Sequence, residues 1–232
     1  MKKLVLLMAV ACLMLTSCGK PEPGAGVGPK EPEKAATSQT PSDGAEKQEP
    51  ARVVHPLSEA VMENLTDAIL SVSLNEGDAY VDDTGKMQMK VSIFTYDKYD
   101  MMDISELKVG DILVTHAGEV EVTGMERGEG DAIRINGGLE EGGFDLVTDE
   151  SGIFYETGFD DAKNWYEVGE ATIRVSADFE GHDSYDPEQG EVVLYPGSFL
   201  IGEVTNYNFT PSNTTIRVEG GQIVELNRTY TP

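Results

Sequence analysis

Beyond residue 74 the apolar side chains mostly recur at every second position rather than every third or fourth. Met87, Met89, Val91 and Ile93 alternate with polar residues, the pattern of a strand with one buried face. Further runs at 131–136, 143–148, 151–156, 171–176, 191–195 and 198–204 are short and separated by glycine and aspartate. Strands of this kind pack as an antiparallel sandwich or barrel. The chain is therefore expected to be all-β, an antiparallel sandwich or barrel with a short N-terminal helix. The helix rests on Leu57, Val61, Leu65 and Ile69, spaced four apart, while Ala68, Leu70, Val72 and Leu74 alternate. A helix of two turns should thus end near Leu65 and give way to a strand.

Two hairpins can be read in register. A three-residue loop His116-Ala117-Gly118 pairs Val114 with Val120 and Ile112 with Val122, with Gly118 in the left-handed position. At the C-terminus, Glu219-Gly220-Gly221 pairs Val218 with Gln222, Ile216 with Val224 and Thr214 with Leu226. Between Asp103 and Asp111, Ile104 and Leu107 anchor a turn, and Gly110-Asp111 opens the next strand. The glycine-rich stretch 136–143 lacks the lysine of a phosphate loop and carries two carboxylates, so it reads as turns.

Charge narrows the partners. There are 42 Asp and Glu against 17 Lys and Arg, a net charge of −25. Nucleic acid is excluded as a partner, because phosphate-backbone affinity comes from clustered Lys and Arg. A polybasic face for anionic lipid is excluded on the same ground. Residues 18–55 hold a cysteine and then a segment dominated by Pro, Gly, Glu and Lys, without hydrophobic periodicity. This segment is expected to be a disordered tether spanning about 33 Å as a flexible coil. Its charges nearly cancel, which leaves the acidity to the domain at 56–232.

Residues 1–17 have two lysines followed by an uncharged stretch from Leu4 to Ser17. That stretch is too short to span a bilayer and has the length of a secretory h-region. It ends Leu15-Thr16-Ser17-Cys18, which resembles the lipobox of bacterial lipoproteins: an aliphatic residue, two small residues and the cysteine. The resemblance implies cleavage before Cys18 and a diacylglycerol on its sulfur. It also implies an acylated N-terminus such as palmitate provides, and a place on the extracytoplasmic face of the cell membrane. Cys12 would be discarded with the signal, leaving no thiol for a disulfide. Gly19 stands where lipoproteins retained at a Gram-negative inner membrane carry Asp. The tether and acidic β domain together resemble uncharacterised surface lipoproteins of gut-type Gram-positive bacteria, a likeness that carries no activity with it.

Candidate chemistry is sparse. Asp160 and Asp161 precede Trp165 and Tyr166. The carboxylates are a candidate catalytic pair for glycoside hydrolysis and the rings a candidate sugar-stacking platform. The alternative is a capped turn with its aromatics in the core. Asp178, Glu180, Asp183, Asp186 and Glu188 crowd into one segment read as a loop, and make a candidate calcium site because calcium takes six to eight oxygens. Their order does not match the helix–loop–helix calcium pattern, and solvated charge is the competing reading. His55, His116 and His182 show no zinc-like spacing and read as solvated. The leading expectation is a non-catalytic module binding an extracellular protein or wall polymer. An envelope glycan hydrolase and a structural component of an envelope complex are the alternatives.

Overall fold

The alternation at 87–95 becomes a strand whose inward residues Met89, Val91 and Ile93 are buried. The computed structural model describes residues 50–57, 60–128, 132–158 and 162–231, and the compact unit containing them runs from Gln48 to Pro232. The strands in chain order are β1 (Val53–Val54), β2 (Ala68–Ser73), β3 (Ala79–Val81), β4 (Met87–Thr95) and β5 (Lys98–Tyr99). A short helix, α1 (Met101–Ser105), precedes β6 (Ile112–Thr115), β7 (Gly118–Glu121), β8 (Met125–Arg127) and β9 (Ile133–Ile135). The chain continues through β10 (Phe144–Thr148), β11 (Phe154–Thr157), the long β12 (Tyr166–Ser184), β13 (Val192–Leu194), β14 (Thr214–Glu219) and β15 (Gln222–Thr229). The fold is mostly β, as the sequence predicts.

Five strands close a barrel. β2 pairs with β4, β4 with the first half of β12, β12 with β15, β15 with β14, and β14 returns to β2. All these pairings are antiparallel except β12–β15. Numbering only the barrel strands, the order is first, second, third, fifth, fourth, with the third and fifth parallel. That is the connectivity of the OB-type Greek-key barrel. β12 can serve two partners because Arg174 lies opposite both Gln88 of β4 and Gln222 of β15, where one ladder hands over to the other. The interior holds Leu70, Val72, Ile93, Phe179, Ile216 and Leu226 among others.

Between β4 and β12, the second and third barrel strands, the chain leaves to build a second lobe. A five-stranded sheet runs β5-β11-β10-β9-β8, and a three-stranded one runs β1-β6-β7. They enclose their own core of Tyr99, Ile104, Leu113, Ile135, Leu146 and Phe154 with neighbours. Ile104 and Leu107 are buried as expected of turn anchors. Asp111 is fully buried and accepts from the amides of Arg52 and Lys108, fastening the N-terminal strand to the lobe. At the glycine-rich turns, a Cβ on Gly143 would sit 1.9 Å from the carbonyl oxygen of Ile135, so only glycine fits.

Several expectations are corrected. The two-turn N-terminal helix is absent from the described residues. Val61–Glu63 form one 3-10 turn, and β2 follows with Ile69 72% exposed while Leu70 and Val72 are buried, so the period of two prevails. The tether boundary after His55 moves back, because β1 pairs in parallel with β6 and buries Val54. The first hairpin has a two-residue turn, with Thr115 opposite Gly118 and Leu113 opposite Val120. The Thr115 hydroxyl accepts from the Ala117 amide and donates to the Gly118 carbonyl, closing the tighter loop. The shift by one residue sends Leu113 rather than Val114 into the core. At the C-terminus the turn is Gly220-Gly221, both at positive φ, and a bulge then sets Ile216 opposite Leu226 rather than Val224. The strand expected at 198–204 is instead a 3-10 turn, Pro196–Phe199, closed by the Tyr195 amide donating to the Ser198 hydroxyl. The segment 178–184, expected to be loop, belongs to β12.

Candidate functional site at the seam between barrel and inserted lobe

Besides the N-terminal passage from β1 to β2, the chain crosses between barrel and lobe at 95–98 and at 162–166. The second crossing runs antiparallel to the first, with Tyr166 opposite Thr95. Their side chains form two clusters, Asp97 with Tyr166 and Tyr96 with Trp165, and Tyr96 also lines the cleft beside Asp97.

In the first cluster, the Asp97 carboxylate is only 2% accessible. Its Oδ2 accepts from the backbone amide of His116 at 2.6 Å and lies 3.0 Å from the His116 Nδ1. Its Oδ1 accepts from the Tyr166 hydroxyl at 3.0 Å. The His116 ring stacks on Tyr166 at 4.3 Å with planes 13° apart, and although the residue as a whole is exposed, its side chain is only 27% accessible. The tight turn between β6 and β7 puts it there. Glu156, from β11, completes the group. One ligand atom each from Asp97, His116 and Glu156 lie within 4.8 Å of one another. This set of one imidazole and two carboxylates is the group able to hold a metal among the described residues.

Burial pushes the Glu156 carboxyl above its ordinary range, and the charge of Asp97 adds to the effect. The Asn164 amide, donating to Oε1 at 2.7 Å, and His116 oppose it. Tyr99, fully buried beneath, donates to the Val114 carbonyl at 3.0 Å. Burial first, and then the charges of Asp97 and Glu156, raise its phenol above the ordinary value. A cleft of about 390 Å³ opens beside Asp97 and Tyr166, with His55, Pro56, Leu57 and Tyr96 among its walls.

In the second cluster the rings gather around a cation. Tyr96 meets Trp165 edge-on at 4.8 Å and Tyr155 edge-on at 5.8 Å. The Lys163 ammonium lies 4.4 Å from the Tyr96 ring centre, 5.3 Å from Tyr155 and 5.9 Å from Trp165. It also donates to the Tyr96 hydroxyl at 3.0 Å. All four side chains are half-buried.

Of the sequence candidates, Trp165 and Tyr166 thus both lie at the seam but serve different clusters. Asp160, Asp161 and Cys18 lie outside the described residues. The five calcium candidates are not brought together. Asp183 is held by Arg228, Nε to Oδ1 at 2.8 Å and Nη2 to Oδ2 at 2.6 Å. Asp186 accepts from the Glu188 amide and the Gln189 side chain, which lower its carboxyl. Asp178 and Glu180 lie exposed on β12, and Glu188 is exposed in the turn that follows. The reading of all three histidines as solvated loop residues needs correction. His116 is hydrogen-bonded at the seam, and His182 lies in β12 with its Nδ1 3.4 Å from Glu191. Sequence reasoning passed over Asp97, Tyr96 and Glu156 because no local motif joins them. The one local signal was His116 at a hairpin tip.

No family model, curated protein or solved structure matches the chain.

Proposed function

We propose that the protein is a lipid-anchored extracytoplasmic binding module, held to the membrane through Cys18 and presenting its seam to a glycan of the cell envelope. The single observation that carries the recognition part is the cluster of Tyr96, Tyr155 and Trp165 around the Lys163 ammonium. Half-exposed ring faces suit the apolar faces of sugars. A lysine among them suits an anionic substituent, on a chain whose net charge of −25 repels anions elsewhere. The lipobox and the tether supply the reading's other half. Two or more acyl chains hold a protein where one would release it.

Trp165 is the chain's one tryptophan, so its fluorescence reports on this surface alone. Wall glycan fragments are expected to shift its emission saturably. Lys163→Ala and Tyr155→Ala should each weaken binding about tenfold, the scale of a lost cation–π or stacking contact with its burial. An emission unmoved by any wall fraction overturns the glycan reading. For the anchor, Cys18→Ala should release the protein from the membrane fraction and abolish incorporation of labelled palmitate.

A second reading, an envelope glycan hydrolase, draws on the raised carboxyl of Glu156 in the Asp97–His116 cluster, since a glycosidase acid needs an elevated pKa. It requires turnover of wall glycan that Glu156→Gln, Asp160→Asn or Asp161→Asn removes. Binding without turnover rejects it.

A further inference from the structure

We propose that Asp97, His116 and Glu156 form a binding site for a divalent transition-metal ion, with zinc the natural probe. The three come from separate parts of the lobe: the outgoing crossing, the β6–β7 turn and β11. Their ligand atoms nevertheless lie within 4.8 Å of one another. One nitrogen and two oxygens suit zinc and its neighbours in the first transition row. They do not suit calcium, which asks for six to eight oxygens.

The surroundings support the assignment independently. Asp97 is almost entirely enclosed, and its hydrogen-bond donors are a backbone amide, an imidazole and a phenol. These satisfy its lone pairs, and no Lys or Arg is among them. Glu156 adds a second carboxylate to the same half-buried place, with the neutral Asn164 amide as its donor. Two carboxylates gathered at one imidazole constitute an excess of negative charge that a divalent cation balances. On metal binding a ring nitrogen of His116 and one oxygen of each carboxylate would close inward until each lies about 2.0–2.2 Å from the ion. The backbone amide of His116 still donates to Asp97, and the Tyr166 hydroxyl still holds Oδ1, so the ligands remain aimed. Hydrogen bonds to ligating carboxylates of this kind orient a metal site from behind. Three protein ligands leave a position for water or for an exogenous ligand. The ion would also pin the crossing strand to two elements of the inserted lobe, stiffening the seam.

The inference does not depend on the proposed function, and the two can fail separately. The test uses the full chain in detergent with Cys12→Ser and Cys18→Ser, so that no thiol competes, and without a histidine tag. After treatment with chelator, zinc chloride is titrated by calorimetry and the melting temperature is followed. One zinc per chain and a rise of several degrees are expected, with calcium at the same ionic strength giving neither. His116→Ala and Glu156→Gln should each weaken zinc binding at least about tenfold, the lower bound from losses of supporting groups alone. Glu156→Gln keeps the size of the side chain and an oxygen for Asn164, so it remains folded even if Asp97 variants do not. His182→Ala should leave stoichiometry and affinity unchanged. No saturable zinc isotherm, or an isotherm indifferent to both His116→Ala and Glu156→Gln, overturns the proposal.

Discussion

The barrel and the seam each enclose an aspartate carboxylate, 13% accessible at Asp183 and 2% at Asp97, and they treat it differently. In the barrel, Asp183 faces a guanidinium that matches it in charge and shape. Arg228 is 4% exposed, makes two hydrogen bonds to Asp183, gives a third to the Asn206 carbonyl and lies 4.1 Å over the Phe209 ring. In the seam, Asp97 has hydrogen bonds but no Lys or Arg among them, and Glu156 lies close by. Among the described residues every buried side-chain nitrogen and oxygen has a partner in both places. Hydrogen bonding is therefore complete in both, and only charge distinguishes them. The barrel's polar pair is matched in charge and supports the fold. The seam's is left electrostatically unfinished, and it adjoins the half-exposed rings around Lys163.

The sharpest test of that contrast is to unbalance the balanced site. Arg228→Ala leaves Asp183 without its counter-charge and should cost about 3–5 kcal/mol, the cost of breaking a buried pair from one side. Urea unfolding measures it. A loss below 1 kcal/mol would mean that water already screens the pair, and the contrast with Asp97 would vanish.

Next comes the question of whether the two lobes are one cooperative body. Leu146 is fully buried in the inserted lobe, and Leu146→Ala should cost about 2–5 kcal/mol. Because both crossings run through the seam, Trp165 fluorescence and far-ultraviolet circular dichroism should still report one transition. Two separated transitions would show that the lobe unfolds while the barrel stands.

A smaller loss is expected at the seam itself. Asp97→Ala leaves the His116 amide and the Tyr166 hydroxyl without their acceptor, at about 1–3 kcal/mol for a buried donor. Asp97→Asn keeps an acceptor oxygen and removes the charge, so it should be the milder of the two when no metal is present. If Asn proves the more damaging, the charge itself is being stabilised and the seam is not electrostatically unfinished. The C-terminal turn gives a smaller effect again. Gly220→Ala forces an L side chain into the left-handed region at φ 55°, worth roughly 1–2 kcal/mol. A neutral result would mean that the tip reopens into the three-residue loop.

These comparisons also separate what the residues declare locally from what topology supplies. The alternation of Met89, Val91 and Ile93 and the anchors Ile104 and Leu107 were legible because burial of one face writes itself into neighbouring positions. The first hairpin departs from apolar pairing by one residue, and the C-terminal hairpin by one at its turn and two beyond the bulge. A Thr115 side chain and a compensating bulge after Ile223 permit tighter turns than apolar pairing alone implies. β12 was seen only as the piece 171–176, because Gly169, Gly181 and outward acids interrupt its period. Trp165 and Tyr166 were legible as candidates through their aromatic character. Asp97, His116 and Glu156 were not, because their proximity is created by an insertion between two barrel strands and leaves no spacing to read.

The smallest effect concerns acid. Hydrogen bonds from Asn227 and Arg217 hold Glu225 below its ordinary 4.5, and Ser151 with the Ile153 amide holds Asp149 below 3.8. A carboxyl whose folded-state pKa is depressed stabilises the fold at every pH above its unfolded value. That contribution drains away as pH falls through the folded one, because the unfolded chain takes up the proton first. Stability should therefore decline as pH drops below about 4.5, through a window in which these two carboxylates protonate. Glu225→Gln removes one of these groups and should flatten the acid limb while shifting the neutral-pH melting temperature less than any substitution above. The pair is partly exposed, and salt screens such pairs, so added sodium chloride should shrink the difference between Glu225→Gln and the parent chain. If the acid limb keeps its slope in both Glu225→Gln and Asp149→Asn, the loss of stability at low pH comes instead from carboxylates other than these two.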